Sequence, residues 1–203
     1  MGITVLVLEV SFLVLAVGGR AWLQRRWTGS SGITVTQSAI TPAERAVKLL
    51  LLLTVVGLGV VTALSLGDGT APGQWDAPDP LRGAGLVLAV LGMAGTLWAQ
   101  VAMGTDWRIG MDHETPTNLV TDGPFRWVRN PIYTAMVVFV AGIALALPSI
   151  LTAVIVVATA AEVQLQVRRV EEPFLAARHD REFDRWAARA GRFLPGLGRR
   201  ALA

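Results

Sequence analysis

The chain has 203 residues, 53% of them hydrophobic and only 16% charged, with 18 Lys or Arg against 15 Asp or Glu for a net charge of +3. A soluble domain averages about 25% charged residues, so this balance suits lipid better than water. Cysteine is absent, which excludes a disulfide framework, a thiolate zinc site and a cysteine nucleophile. The basic residues crowd beside apolar runs and no nucleic-acid-binding motif accompanies them; membrane topology and anionic lipid account for them, and no nucleic-acid partner is expected.

Span one is expected over residues 3–19. Arg20, Arg25 and Arg26 follow its apolar stretch, whereas a signal peptide carries its charge in front, so the span is expected to be retained. Glu9, in its outer half, is expected to snorkel or to pair with Arg82. Span two covers residues 47–66, span three 81–103, span four 132–147, and span five runs from 149 to about 169. Runs near 20 residues match a bilayer core of about 30 Å. Pro148 and Ser149 leave almost no loop between the last two spans, which predicts a tight helical hairpin.

The loop after span one holds Arg20, Arg25, Arg26 and Arg45, while the next loop offers Arg82 beside Asp68, Asp76 and Asp79. By the positive-inside rule the N-terminus is expected outside and the C-terminus in the cytoplasm, with residues 107–130 and the arginine-rich tail on one side. Lys48 is the single lysine, a bias read as that of a GC-rich, bacterial coding sequence. Residues 174–190 predict an amphipathic helix lying along the interface, with Phe183, Trp186, Ala187 and Ala190 on one face and Arg181, Arg185 and Arg189 on another. Gly191 and Pro195 end it. The expected fold is thus all-α: an integral membrane protein of about five transmembrane helices in one domain of residues 1–203. Residues 1–103 supply three spans and 104–203 the catalytic region.

Three stretches carry specialised chemistry. In "GPFRWVRNPIYTA", Gly123 and Pro124 make a turn after Asp122, and a helical turn over 125–129 must end before Pro131, leaving Asn130 extended or bent. Arg126 and Arg129 then sit at the lipid interface, as site residues or as plain positive-inside charges. In "EVQLQVRRVEE", a helical wheel at about 100° per residue places Glu162, Gln166, Arg169 and Glu172 within one arc and Glu171 nearly opposite Glu162. A carboxylate at mid-helix costs about 2.5–3.5 kcal/mol on insertion scales, so Glu162 is expected to face protein or a wet cavity. Glu171 and Glu172 fall near the membrane edge, where solvated charge is the plain alternative. Pro173 allows a bend just after them. In "MGTDWRIGMD", Trp107 and Arg108 read as an interfacial anchor and a topological charge, or as substrate contacts. His113 and His179 stand alone, without the spacing of a metal site, and no metal is expected.

Guanidiniums, carboxylates and aromatic faces at one interface suit a zwitterionic aromatic small molecule: carboxylate to Arg, ammonium to Glu, flat base to Phe or Trp. S-adenosylmethionine has all three parts. No glycine-rich strand-to-helix fingerprint is present, so helix ends and loops would have to hold it.

"LVTDGPFRWVRNPIYTA", then "EE", then "EFDRWAARAGRFLP" resemble the isoprenylcysteine carboxyl methyltransferase family and its relatives the phospholipid N-methyltransferases, over roughly residues 104–195. The resemblance implies cofactor contacts at Val120, Gly123, Phe125, Arg129, Asn130, Pro131, Tyr133, Glu171 and Glu172, with Asn130 where the family has histidine. It implies catalytic roles for Arg189, Arg192 and Glu172, and substrate contacts at Trp107, Arg108, Glu162 and Trp186. Phe183 and Trp186 stand where the family has tyrosines. The implied enzyme takes S-adenosylmethionine, releases S-adenosylhomocysteine, and methylates a lipophilic acceptor arriving from the bilayer, foremost a carboxylate of the isoprenylcysteine type. For an amine or hydroxyl acceptor Glu172 is the expected base. The competing readings are a lipid N-methyltransferase, an NADPH-dependent membrane reductase and a non-catalytic membrane scaffold.

Overall fold

The computed structural model describes residues 1–33, 41–67, 70–109 and 118–201; Asp68, Asp112 and His113 lie outside these. The described residues form α1 (Gly2–Leu13), α2 (Arg20–Thr28), α3 (Pro42–Leu66), α4 (Asp79–Ala102), α5 (Pro131–Ala146), α6 (Ile150–Gln166) and α7 (Glu172–Arg189). A wide, i→i+5 bonded stretch, Val14–Gly19, joins α1 to α2 in one continuous helix, and a second, Val167–Glu171, joins α6 to α7. The protein is an all-α integral membrane protein.

Local chemistry sets the boundaries. Thr41 and Glu44 cap each other reciprocally in front of Pro42, Glu44 N donating to Thr41 Oγ1 at 3.2 Å and Thr41 N to Glu44 Oε2 at 2.7 Å. Ser149 and Thr152 do the same at the start of α6. The hairpin turn at Pro148 is held from the side: Ile150 N donates to Gly73 O at 3.1 Å and Trp75 N to Pro148 O at 3.3 Å. Among the described residues four continuous helices are long and apolar enough to cross a bilayer, and α5 is shorter, with 16 residues. At 1.5 Å per residue that is about 24 Å, less than the hydrocarbon core, so the fourth expected span is a short one.

Small residues decide which helices touch most closely. Gly85, Ala89 and Gly92 of α4 meet Ala135, Gly142 and Ala146 of α5, and a methyl group on Gly92 or Gly142 would collide with the main chain of Phe139 or Ala89. In lipid, where no hydrophobic force separates helix from solvent, such close backbone approach is what holds a pair together. Thr54 meets Thr159 at 3.3 Å and a side chain at Gly57 would strike Ile155, which sets α3 antiparallel to α6. Glu9 accepts from Thr62 at 3.0 Å, and Arg82 pairs with Asp76 instead, so the expected pairing of Glu9 with Arg82 does not form.

These antiparallel contacts sort the chain into two ends. At one lie residue 2, the segment 70–78 and the hairpin at 147–149. At the other, here called the polar end, lie α2, the C-terminus of α4, the N-terminus of α5, α7 and the tail. The described residues of the three chemically specialised stretches, Glu162 in mid-helix apart, are at the polar end.

Candidate functional site

The approach to α5 is built by a turn. Gly123 has φ of +57°, and Phe125 N donates to Asp122 O at 3.1 Å. Residues Gly123–Arg126 form one short 3-10 turn, and Asn130 ends the segment with φ −126° and ψ 57°, the bent geometry expected before Pro131. Phe125 points inward and packs with Phe183, Trp186, Ala187 and Ala190. The Trp186 indole donates to Phe125 O at 2.9 Å. The hydrophobic face expected for the C-terminal helix is therefore the face that covers this turn, while Arg181, Arg185 and Arg189 are exposed. α7 is not straight: Asp180 has φ 42° and ψ −120°, and this residue divides the helix.

Beyond α7 the tail folds back. Arg129 N donates to Gly191 O at 2.8 Å, Gly191 N to Trp127 O at 3.0 Å and Asn130 N to Arg192 O at 3.2 Å. The Asn130 side chain adds Nδ2 to Arg192 O at 3.0 Å, and Thr134 donates to Phe193 O at 2.8 Å. Asn130 thus acts as a strap for the tail.

At the centre of this arrangement is Glu172. Arg129 donates to its Oε1 from Nε at 3.1 Å and from Nη2 at 2.8 Å, while Arg192 reaches Oε1 at 2.9 Å and Oε2 at 2.8 Å. Arg129 has no spare donor direction: Nη1 bonds Ala187 O at 3.0 Å and Ala190 O at 2.6 Å, and Nη2 bonds Gly198 O at 3.0 Å. Its side chain is 2% exposed, against 15% for Glu172 and 23% for Arg192. Glu172 lies beyond the apolar part of its helix. Burial raises its carboxyl, but the bonds from Arg192 and Arg129 outweigh that and hold it below the usual carboxylate range. The bond to Glu172 raises the Arg192 guanidinium in turn, against the opposing effect of burial.

Glu171 takes a different position from the one a uniform helical wheel predicts. In an i→i+5 stretch, residues five apart stack, and Gln166 Nε2 donates to Glu171 Oε1 at 3.0 Å. The phenol of Tyr133 donates to the same oxygen. Glu171 is thus turned onto the Gln166 face instead of lying opposite Glu162, and Arg169 is exposed. Glu162 is 4% exposed and makes no hydrogen bond or ion pair among the described residues.

The structure brings Phe125, Arg129, Asn130, Tyr133, Glu171, Glu172, Trp186 and Arg192 together, with Pro131 opening α5 and Val120 packed at the edge of the Phe125 cluster. Three expected members, Arg189, Trp107 and Arg108, stand apart. Arg189 projects from the far face of α7 into a surface groove of about 460 Å³ shared with Thr121, Glu182, Arg185, Trp186 and Ala188. Trp107 is no interfacial anchor; it is 3% exposed, with the Arg20 guanidinium 4.6 Å from its ring centre, while Arg108 beside it is half-buried. Sequence reasoning missed Arg20 as a buried group, and its one signal was the polar pair Arg20 and Gln24, one helical turn apart.

A family model described as phospholipid methyltransferase matches residues 81–182, from the start of α4 through the first part of α7. No individual curated protein matches the chain.

Proposed function

The chain belongs to the phospholipid methyltransferase family, and from that premise we propose that it transfers a methyl group from S-adenosylmethionine to a lipophilic acceptor at the polar end of the bundle. A membrane methyltransferase acting on lipid-type substrates is what family membership gives; the cofactor, the residues and the acceptor are the proposal. The observation that carries it is the meeting of Arg129, Glu172 and Arg192 beside an aromatic cluster.

The donor set fits the cofactor's amino-acid part. Glu172 and Arg192 are partly exposed, offering an anion for an ammonium and a cation for a carboxylate, with the exposed Trp127 ring one strap away. When bound, the cofactor supplies a methyl group on a sulfonium centre, which calls for alignment and no metal. Arg129, saturated by Glu172 and three main-chain carbonyls, holds Glu172 and the tail in place. Phe125, Gly123 and Val120 shape the wall, Asn130 and Pro131 set the start of α5, and Tyr133 fixes Glu171.

Glu172 is a poor proton acceptor at neutral pH, because two guanidiniums stabilise its charged form. That favours an acceptor already anionic at pH 7, a carboxylate of the isoprenylcysteine type, oriented by Arg192 or by Arg189 from the groove. A second reading, lipid N-methylation, draws support from Glu162: a buried carboxylate with no hydrogen-bond or ion-pair partner among the described residues suits an amine headgroup. The arginine distribution supports a cytoplasmic polar end and an N-terminus outside, and the scarcity of lysine supports a bacterial cytoplasmic membrane.

Calorimetry on the full-length protein in detergent tests the reading: saturable binding of S-adenosylhomocysteine is expected, and its absence, or binding of NADPH in its place, overturns it. Incubating membranes with a tritiated methyl donor then separates the acceptors. Label released by alkali as methanol marks an ester, and alkali-stable label marks a methylamine.

A further inference from the structure

The continuous helix that carries Arg20 at the start of α2 lies outside the family match, yet it reaches into the polar end. Arg20 is 3% exposed. Its Nε donates to Gln100 O at 3.2 Å, Nη1 to Gln24 Oε1 at 2.9 Å, and Nη2 to Gly104 O. The guanidinium also lies over two indoles, 4.6 Å from the Trp107 ring centre and 5.2 Å from that of Trp27. Gln24 Nε2 adds a bond to Thr105 O at 2.6 Å, and Ile109 N donates to Gly32 O at 2.8 Å. Gln100 returns the contact, its Nε2 donating to Ala16 O at 3.0 Å.

Several features set this cluster apart from ordinary packing. Gln100 O belongs to the last turn of α4, one of the carbonyls a helix end leaves without a partner, and a cation there also matches the helix dipole. No carboxylate pairs with Arg20 among the described residues. Burying a guanidinium without a counter-ion is costly, and an aliphatic side chain would fill the same space without that cost. What arginine alone provides is a planar fork that meets three acceptors from different directions while its face stacks on aromatic rings. The wide helical stretch Val14–Gly19 directly before Arg20 resets the helix register there, a distortion frequent at functional sites.

The other side of the same helix end supports the reaction site. Ala102 and Met103 pack against the Phe125 cluster. Phe125 begins the segment that carries Arg129 and accepts the Trp186 indole. Contact therefore runs unbroken from Arg20 to the end of α4, to Phe125, and on to the strap that holds Glu172.

We infer that Arg20 is a positioning residue of the methyl-transfer site: by capping α4 and stacking on Trp107 it fixes the support on which Phe125 and the Arg129 segment rest. The inference rests on the reading of the polar end as a reaction site.

The test uses full-length Arg20→Met and Arg20→Lys in the same detergent as wild type, with amide hydrogen exchange and turnover of labelled S-adenosylmethionine on a total bacterial lipid extract. In Arg20→Met, exchange is expected to quicken at residues 100–109 and 123–130 but not at the hairpin 147–152. The kcat is expected to fall by about 10- to 100-fold, with KM for the methyl donor within about two-fold. Arg20→Lys keeps the charge and loses the fork, so it should reproduce most of this loss. A purely structural role predicts faster exchange throughout and no split between kcat and KM. Unchanged exchange at 123–130, unchanged kcat in Arg20→Met, or full activity in Arg20→Lys overturns the inference. Should wild type bind no S-adenosylhomocysteine, the functional reading falls by itself, while the exchange pattern still decides what Arg20 holds.

Discussion

Arg129 and Arg20 are both buried guanidiniums at the polar end, 4% and 3% exposed, and both spend donors on main-chain carbonyls at a helix terminus. They differ in how their charge is met. Arg129 faces Glu172, which Arg192 shares, so a cation, an anion and a second cation form a row. Arg20 faces two indole rings and carbonyls, with no carboxylate among the described residues. The first arrangement makes a charged centre open to a ligand on its Arg192 side; the second makes a closed joint. In the proposed function the one serves recognition and the other placement, although the two residue types are identical.

The comparison is broken most directly by removing each cation in turn. Arg129→Met leaves Glu172 half-paired and strands the carbonyls of Ala190 and Gly198, while Ala187 O keeps the Arg200 N–H at 2.9 Å, a loss of about 3–5 kcal/mol for a broken buried pair. Arg20→Met strands carbonyls but no charge, and a loss of about 1–3 kcal/mol is expected. Thermal unfolding in one detergent should therefore rank Arg129→Met well below Arg20→Met, and the reverse order would mean that the charge row is not what stabilises this end.

Much of this organisation was legible in the sequence. Spans two to four are found within a few residues of their expected limits, because arginine, proline and capping residues bound the apolar runs on both sides; the fifth starts where expected, at Ile150, but its helix does not stop near residue 169 and runs on through Val167–Glu171 into α7. The turn at Gly123 and the bend at Asn130 follow from local backbone sterics, and the face of α7 bearing Phe183 and Trp186 follows from helical spacing. What could not be read has one physical origin, since the missing partners are main-chain atoms or changes of helical pitch. The Val167–Glu171 stretch rotates Glu171 onto Gln166, and a wheel drawn at constant pitch turns it away. Arg20 looks like a topological charge because the carbonyls it binds, at Gln100 and Gly104, carry no side-chain signature. The return of the tail to residues 127–130 is likewise a set of backbone bonds.

A smaller effect sharpens the contrast through pH. The folded-state pKa of Glu172 is depressed, so the stability it contributes is fully present above the unfolded carboxylate pKa of about 4.3 and is lost as pH falls through the folded value. Glu172→Gln removes that dependence. Subtracting its melting-temperature profile from that of wild type should give a step confined to the acid range, flat from pH 6 to 8. The Arg20 joint contains no carboxylate, so Arg20→Met should retain the wild-type step; if it too flattens the acid limb, the two clusters are not independent.

The smallest effect concerns Asn130, where the sequence resemblance implies a histidine. Its Nδ2 bond to Arg192 O is backed by a main-chain bond to the same oxygen, so Asn130→Ala should cost only about 0.5–1.5 kcal/mol. Asn130→His introduces the histidine that the sequence resemblance implies and can donate to that carbonyl from Nδ1 in the Nδ1–H tautomer, so at pH 8 it should melt between wild type and Asn130→Ala. Below about pH 6.5 the imidazole would charge beside the Arg129 and Arg192 segments, and like charge there is unfavourable. The histidine variant should therefore lose stability from pH 8 to pH 5.5 while wild type does not, and a flat profile would show that this position feels neither guanidinium and that Asn130 serves the strap alone.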